Sequence, residues 1–215
     1  MARIVTADES GVEQAVMVLK KGGVVVFPTE TVYGIGADIR KPEAIRRIFE
    51  IKARGFTQPL LVHCGDKTQL QMMVKDVPEW AEPLIARFLP GPLALIFFRS
   101  EAVPEIVSAG RETVGIRVVA NEVFIRICEE LGAPIAGTSA NLSGEPATND
   151  FGAIALEVIG KTDLAINSGI SGSGCASTIL DLTVKPLRII RTGQIGKDEI
   201  ERVLGEVVVN NDIQP

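Results

Sequence analysis

Among 215 residues the chain has one histidine, His63, and only three cysteines, Cys64, Cys128 and Cys175. A single histidine excludes zinc motifs of the H-E-x-x-H kind, which need two on one helix face. Three scattered cysteines cannot make a tetracysteine zinc site, and an odd number argues against a secreted disulfide framework. Excess positive charge is missing too: 22 Lys and Arg stand against 27 Asp and Glu, a formal net charge of -5. The bulk field of a dedicated nucleic-acid binder is therefore absent, although a local basic cavity can sit inside such an average. No apolar run approaches the roughly 20 residues a bilayer span needs; Leu93–Phe98 is among the longest. Asp8 and Glu9 fall where a signal peptide requires an apolar stretch. These absences predict a cytoplasmic protein with reduced thiols and no membrane contact.

The chain does have apolar content, at 46% hydrophobic residues, and its mean hydropathy of +0.26 excludes global disorder. No repeat and no low-complexity linker divides it, so one domain over residues 1–215 is expected, with its core at about 10–205. Ser10-Gly-Val-Glu13 has capping-box form, and Val12, Ala15, Val16 and Leu19 follow at helical spacing. Val24–Phe27 is a continuous apolar run suited to a buried strand. Pro42 suits the first position of a second helix carrying Ile45, Ile48, Phe49 and Lys52 on one face. Further strands are expected near 60–63, 93–98, 114–119, 135–137, 164–166, 178–182 and 187–191. Helices are expected near 67–74, 79–88, 122–131, 151–159 and 197–204. Interleaved strands and helices predict an α/β or α+β fold, a mixed sheet covered by helices.

Two familiar motifs fail. Gly160-Lys161-Thr162 ends like a phosphate-binding loop, but Ala155 stands where its first glycine is required and the segment closes a helix. Gly137-Thr-Ser139-Ala-Asn141 resembles a nucleophile elbow, yet Asn141 replaces the closing glycine and the one histidine precedes the serine. More informative is Phe27-Pro-Thr-Glu-Thr-Val-Tyr-Gly-Ile-Gly36, which leaves a buried strand with hydroxyl and acid side chains at the strand end, where open α/β sheets bind ligands. Lys52-Ala-Arg54 is either a solvated helix terminus or a polyphosphate clamp. Ser139–Gly144 combines hydroxyls with an amide, and the Gly/Ser loop 168–178 can present backbone N–H groups to an anion.

Taken in order, Phe27–Gly36, Lys52-x-Arg54 with Pro59-Leu60, Pro90-Gly-Pro92, Arg117, Ser139-Ala-Asn-x-Ser-Gly144, Ser177-Thr178 and Arg191-x-Gly193 closely resemble the YrdC/Sua5 (TsaC) family, the threonylcarbamoyl-AMP synthases of tRNA modification. The resemblance runs from about residue 10 to 205 and is to the short form, without the extra carboxy-terminal domain of longer members. It implies a YrdC-like twisted mixed sheet flanked by helices, with a concave ligand cavity. It also implies a nucleotidyltransferase that joins L-threonine, bicarbonate and ATP into threonylcarbamoyl-AMP and pyrophosphate. A downstream threonylcarbamoyl-transfer complex would then deliver the group to adenosine 37 of tRNA, with weak tRNA contact by the synthase itself.

By motif, the resemblance makes Lys52, Arg54, Ser139 and Asn141 the catalytic tetrad and ATP contacts, joined for ATP by Thr113, Ala147 and Arg191. Thr31, His63, Arg117, Gly137 and Ser177 fall at the threonine positions, with Arg117 suited to a carboxylate and His63 to a hydrogen-bonding wall. Magnesium would accompany ATP, held by phosphate oxygens and water, with no protein metal site. Lys52, Arg54, Arg117 and Arg191 are expected to converge on one anion, and Lys52 and Arg54 to serve binding rather than folding. Gly55, Ala94, Thr138, Val119-Ala-Asn121 and Ala176 depart from the common pattern and bear on substrate choice. The alternatives are an RNA- or nucleotide-binding module without turnover and a carbamoyl-AMP-forming relative.

Overall fold

A computed structural model describes residues 2–210 of the chain. Its strands are β1 (Arg3–Thr6), β2 (Val25–Phe27), β3 (Gly34–Asp38), β4 (Leu61–Cys64), β5 (Leu93–Phe98), β6 (Thr113–Val118), β7 (Ile135–Ser139), β8 (Leu164–Asn167), β9 (Thr178–Asp181), β10 (Arg188–Arg191) and β11 (Val209–Asn210). They form one twisted mixed sheet in the order β1-β8-β2-β3-β7-β4-β6-β5-β9-β10-β11. The β4–β6 and β5–β9 pairs are parallel, while β7–β4 and β6–β5 are antiparallel.

Side chains alternate across a strand, so the sheet has two faces with different fates. On one, Val26, Ile35, Val62, Leu95 and Ile116 join the main core. The helices Pro42–Lys52, Lys67–Met73 and Glu82–Phe88 cover them, with Ile45, Ile48, Leu70 and Leu84 inside. On the other, Val25, Phe27, Ile135, Leu164 and Ile166 form a second core with the helices Glu9–Lys20 and Glu122–Leu131. That helix pair stops short. No residue of β4, β6, β5 or β9 belongs to the second core, and the uncovered half of this face is where a cavity forms.

Glycines in β3 let the two halves meet. Gly34 and Gly36 pair with Phe27 and Val25 in register, and a Cβ on Gly34 would lie 2.4 Å from the Phe27 ring. The ring lies across β3 in that space and is fully buried, which is worth about 1.5–3 kcal/mol for a side chain of this size. The two glycines are thus strand residues that admit a close neighbour, not turn residues at a strand end.

Other expectations shift in detail. The first helix starts at Glu9, because Asp8 rather than Ser10 is the cap, its Oδ1 accepting from the Gly11 N–H at 2.9 Å. The helix expected over 151–159 is two pieces, a turn at Phe151–Ala153 capped by Asp150 and a helix at Leu156–Lys161; the break between them turns Ile154 into the core. Gly160-Lys161 ends that second helix, with Lys161 Nζ on Glu157 at 2.6 Å, so it cradles no phosphate. Among the described residues no helix is long and apolar enough to cross a membrane.

Candidate active site

Leu61 and His63 on β4, and Thr113, Gly115 and Arg117 on β6, alternate with the core residues Val62, Cys64, Val114, Ile116 and Val118. The first set therefore points away from the main core and lines a cavity of about 560 Å³. His63 and Arg117 are direct partners across the β4–β6 pair, which places their side chains together on that face. Ile96 and Ile179 extend the same floor outward. Arg191 reaches it by a different route. Strict alternation after the core residue Ile189 would bury position 191, but the β9–β10 register slips between Ile189 and Arg191. That bulge brings both Ile190 and Arg191 onto the cavity side.

Loops make the walls. Thr29 and Thr31 are buried and face each other at 2.9 Å between their Oγ1 atoms, while Thr29 Oγ1 donates to Val32 O at 2.6 Å. Ser177 sits opposite, held by Arg191, whose Nη2 donates to Ser177 O at 2.8 Å and to its Oγ at 3.1 Å. Gly193 is required there, since a Cβ would come within 2.2 Å of Ala176 O. Ser139, Thr138 and Ala147 complete the wall. Ser139 Oγ bonds Asn141 Oδ1 at 2.5 Å; no hydrogen bond joins it to His63 to activate it as a hydrolase nucleophile.

The electrostatics are those of an anion site. Arg54, Arg111, Arg117 and Arg191 line the cavity, and among the described residues no Asp or Glu does. Burial, followed by the charge of Arg117, pulls the Arg191 guanidinium below its ordinary range, and burial alone does so for Arg54. Cations held together out of water favour any ligand that brings negative charge. His63 is driven the same way: burial first, then Arg117 and Arg191, pushes its pKa down to about 3. It is neutral at physiological pH, and its Nδ1 is buried without a hydrogen-bond partner.

Of the residues expected at the site, the cavity brings together Arg54, Ser139, Thr31, His63, Arg117, Ser177, Thr113, Ala147 and Arg191. It does not bring Lys52, Asn141 or Gly137 to its wall. Lys52 is 1% exposed. Its Nζ donates to the main-chain oxygens of Ser139 and Asn141 and to Asn141 Oδ1. Ala53 between it and Arg54 takes a left-handed conformation, φ 50° and ψ 41°, and the two cations diverge, one inward and one to the cavity. Lys52 thus sits behind the cavity wall and props the 139–141 turn. Burial, then the nearby Arg54, lowers its pKa to about 7. Gly137 lies within the sheet, where a Cβ would meet Ile35 O at 2.6 Å.

Sequence reasoning missed Arg111 and Gln58 in the wall, which carry no motif. It also passed over Glu30, inside a segment singled out only as a whole. Glu30 Oε2 lies 2.7 Å from Arg117 Nη2. For magnesium, the described residues hold no group of three His, Cys, Asp or Glu side chains that could cage an ion.

The comparisons agree with this architecture. A family model for Sua5/YciO/YrdC, described as telomere recombination, matches residues 17–193. The threonylcarbamoyl-AMP synthase of Pyrococcus abyssi is 40% identical over 89% of this chain and 56% of its own length. That of Bacillus subtilis is 36% identical over 97% of this chain and 60% of its own length. The chain thus spans little more than half of these relatives. A crystal structure of Pyrococcus abyssi Sua5 complexed with L-threonine superposes with a TM-score of 0.90 at 38% identity, covering 97% of this chain and 62% of that one. A mixed sheet with one half-bare face, a cavity walled by the Thr29–Thr31, Ser139 and Ser177 segments, and a match along most of its length show that the chain belongs to the Sua5/YciO/YrdC family.

Proposed function

We propose that the cavity is the active site of an L-threonylcarbamoyladenylate synthase, as the names of its relatives suggest. The observation that carries this reading is the convergence of four arginines with buried hydroxyls around one neutral histidine. In the reaction, the amine of L-threonine and bicarbonate give a carbamate and water. A carbamate oxygen attacks the α-phosphorus of ATP, and pyrophosphate leaves. The attacker is already an anion, so no general base is required. What the protein must do is neutralise charge, align the reactants and keep water from the labile carbamate.

The residues divide the work. Arg117, in a buried position beside His63, binds the threonine carboxylate, with Thr31 and Ser177 around the rest of the amino acid. Arg54 and Arg191 take the phosphates, with Arg111 added to them, and Thr113, Ser139 and Ala147 flank the nucleotide. Lys52 acts at one remove, holding Ser139 and Asn141 in place. Magnesium bound to ATP would offset phosphate charge. The product would pass to a cytoplasmic complex that modifies adenosine 37 of tRNA, and weak tRNA contact is part of the same reading. ATP–pyrophosphate exchange tests it: exchange should need both threonine and bicarbonate. Exchange that ignores threonine contradicts the substrate assignment, and tight, salt-steep RNA binding with no exchange would favour a binding module.

A further inference from the structure

Between the helix Pro42–Lys52 and β4 the chain crosses the rim of the cavity as a strap, Gly55–Pro59, whose first four residues are exposed. It is fixed at both ends: Arg54 N donates to Phe49 O and Leu60 N to Val107 O, each at 2.9 Å. Within it the main chain makes one bond, Gln58 N to Gly55 O at 3.1 Å, and the Phe56 ring rests on Phe49 with centroids 4.9 Å apart. Among the described residues, its remaining main-chain oxygens are held by two arginines alone. Arg54 Nη2 donates to Pro59 O at 3.0 Å and its Nε to Gln58 O at 3.4 Å. Arg111 Nη2 donates to Thr57 O at 3.5 Å. Arg111 follows a turn in which Ala109 and Gly110 take left-handed conformations, φ 53° and 75°, and Arg99 Nε fastens its main chain by donating to Arg111 O at 3.0 Å. The fastenings of the strap are thus two of the four arginines that line the anion cavity.

We propose that Arg54 and Arg111 are shared between this strap and a bound polyphosphate: phosphates draw the two guanidiniums off Thr57–Pro59, so the strap is released when the cavity fills and refastened when it empties. This rests on the reading of the cavity as a nucleotide site and deepens it by giving Arg111, which carries no motif, a part in ligand entry and exit. The competition is uneven. The bonds at 3.4 and 3.5 Å lie beyond the usual range of about 2.7–3.2 Å, and a carbonyl on an exposed strap can turn to water instead. An ionised phosphate offers a guanidinium shorter, charge-assisted and bidentate bonds. Arg54 has a further reason to move, since burial already pulls its guanidinium below its ordinary range and an anion offsets that penalty. Gln58 and Pro59 belong to the cavity wall as well as to the strap, so their release loosens the wall beside the phosphates.

Amide hydrogen exchange on the whole chain, read in peptides spanning residues 54–60, tests this with inorganic triphosphate as the probe, at a concentration that calorimetry shows to be saturating. Most ligands slow exchange where they bind; here triphosphate should speed it at least threefold in the strap. Arg111→Ala should show the faster exchange without any ligand, and triphosphate should then add less than it does in the wild type. Arg111→Lys, which keeps the charge but not the fork, should lie between the two. A single-stranded RNA without terminal phosphates should leave the strap unchanged. Slowed or unchanged exchange with triphosphate bound overturns the proposal, as does an Arg111→Ala strap that exchanges like the wild type, or an equal rise with the RNA. If Arg111→Ala fails to fold, the triphosphate arm on the wild type decides alone. Wild-type protein that binds no triphosphate removes the nucleotide reading along with the proposal, whereas binding without faster exchange concerns the strap alone.

Discussion

His63 offers the sharpest physical test, because it is the one histidine in the chain. Its imidazole is 4% exposed, faces Arg117 and Arg191, and has its pKa lowered from 6.5 to about 3. The folded pKa lies below the unfolded one, so below pH 6.5 the unfolded chain binds the proton that the folded chain refuses. Stability from this group is complete above pH 6.5 and falls as pH drops toward 3. Each unit is about 1.4 kcal/mol, so the loss is about 2 kcal/mol at pH 5 and about 5 kcal/mol once the window is crossed. Urea unfolding at pH 7 and pH 5 should show that steeper loss in the wild type than in His63→Gln, which shares every carboxylate but has no imidazole to charge. The imidazole NMR signal of the folded protein should stay flat between pH 5 and 8 and titrate near 6.5 in urea. A folded histidine that titrates near 6.5, or equal pH slopes in the two proteins, would refute the placement of His63 beside two buried arginines.

Arg117→Lys keeps the charge but loses the planar fork, so L-threonine should bind ten- to a hundredfold more weakly while ATP affinity, measured separately, changes little. Lys52→Met removes three contacts to the 139–141 turn and leaves Asn141 O without its donor, and thermal unfolding should show a loss of about 1–3 kcal/mol. Arg54→Ala, by contrast, should raise the KM for ATP with Tm nearly unchanged, since its side chain borders the cavity. Gly193→Ala forces a Cβ against Ala176 O at 2.2 Å, displacing Ser177, and should cut turnover more than tenfold in protein that still unfolds cooperatively.

Much of this was legible in residue order. The apolar runs at Val25–Phe27, Leu93–Phe98 and Thr113–Val118 became strands, and Pro42 opened its helix, because those signals are local. The short strand Arg3–Thr6 is mostly exposed and Gly34–Asp38 is glycine-rich, so neither carries the pattern that marks a strand. The motifs gathered Arg54, Arg117 and Arg191, but sequence spacing could not show that Ala53 would turn Lys52 inward. Nor could it reveal the bulge that turns Arg191 toward the cavity, since register belongs to the pairing of two strands. Arg111 takes the place in the cationic ring that Lys52 was expected to fill, and a surface-like Arg-Glu pair gives no hint of that.

In the proposed reaction, four arginines gathered in a chain of net charge -5 help join a carbamate to AMP. Incubation with ATP, L-threonine and isotopically labelled bicarbonate, followed by mass spectrometry, tests it directly. Threonylcarbamoyl-AMP carrying the label is expected, formed only when all three reactants are present and lost in Arg117→Ala. Hydrolysis of ATP with no labelled adenylate, or the same adenylate formed without threonine, would contradict it.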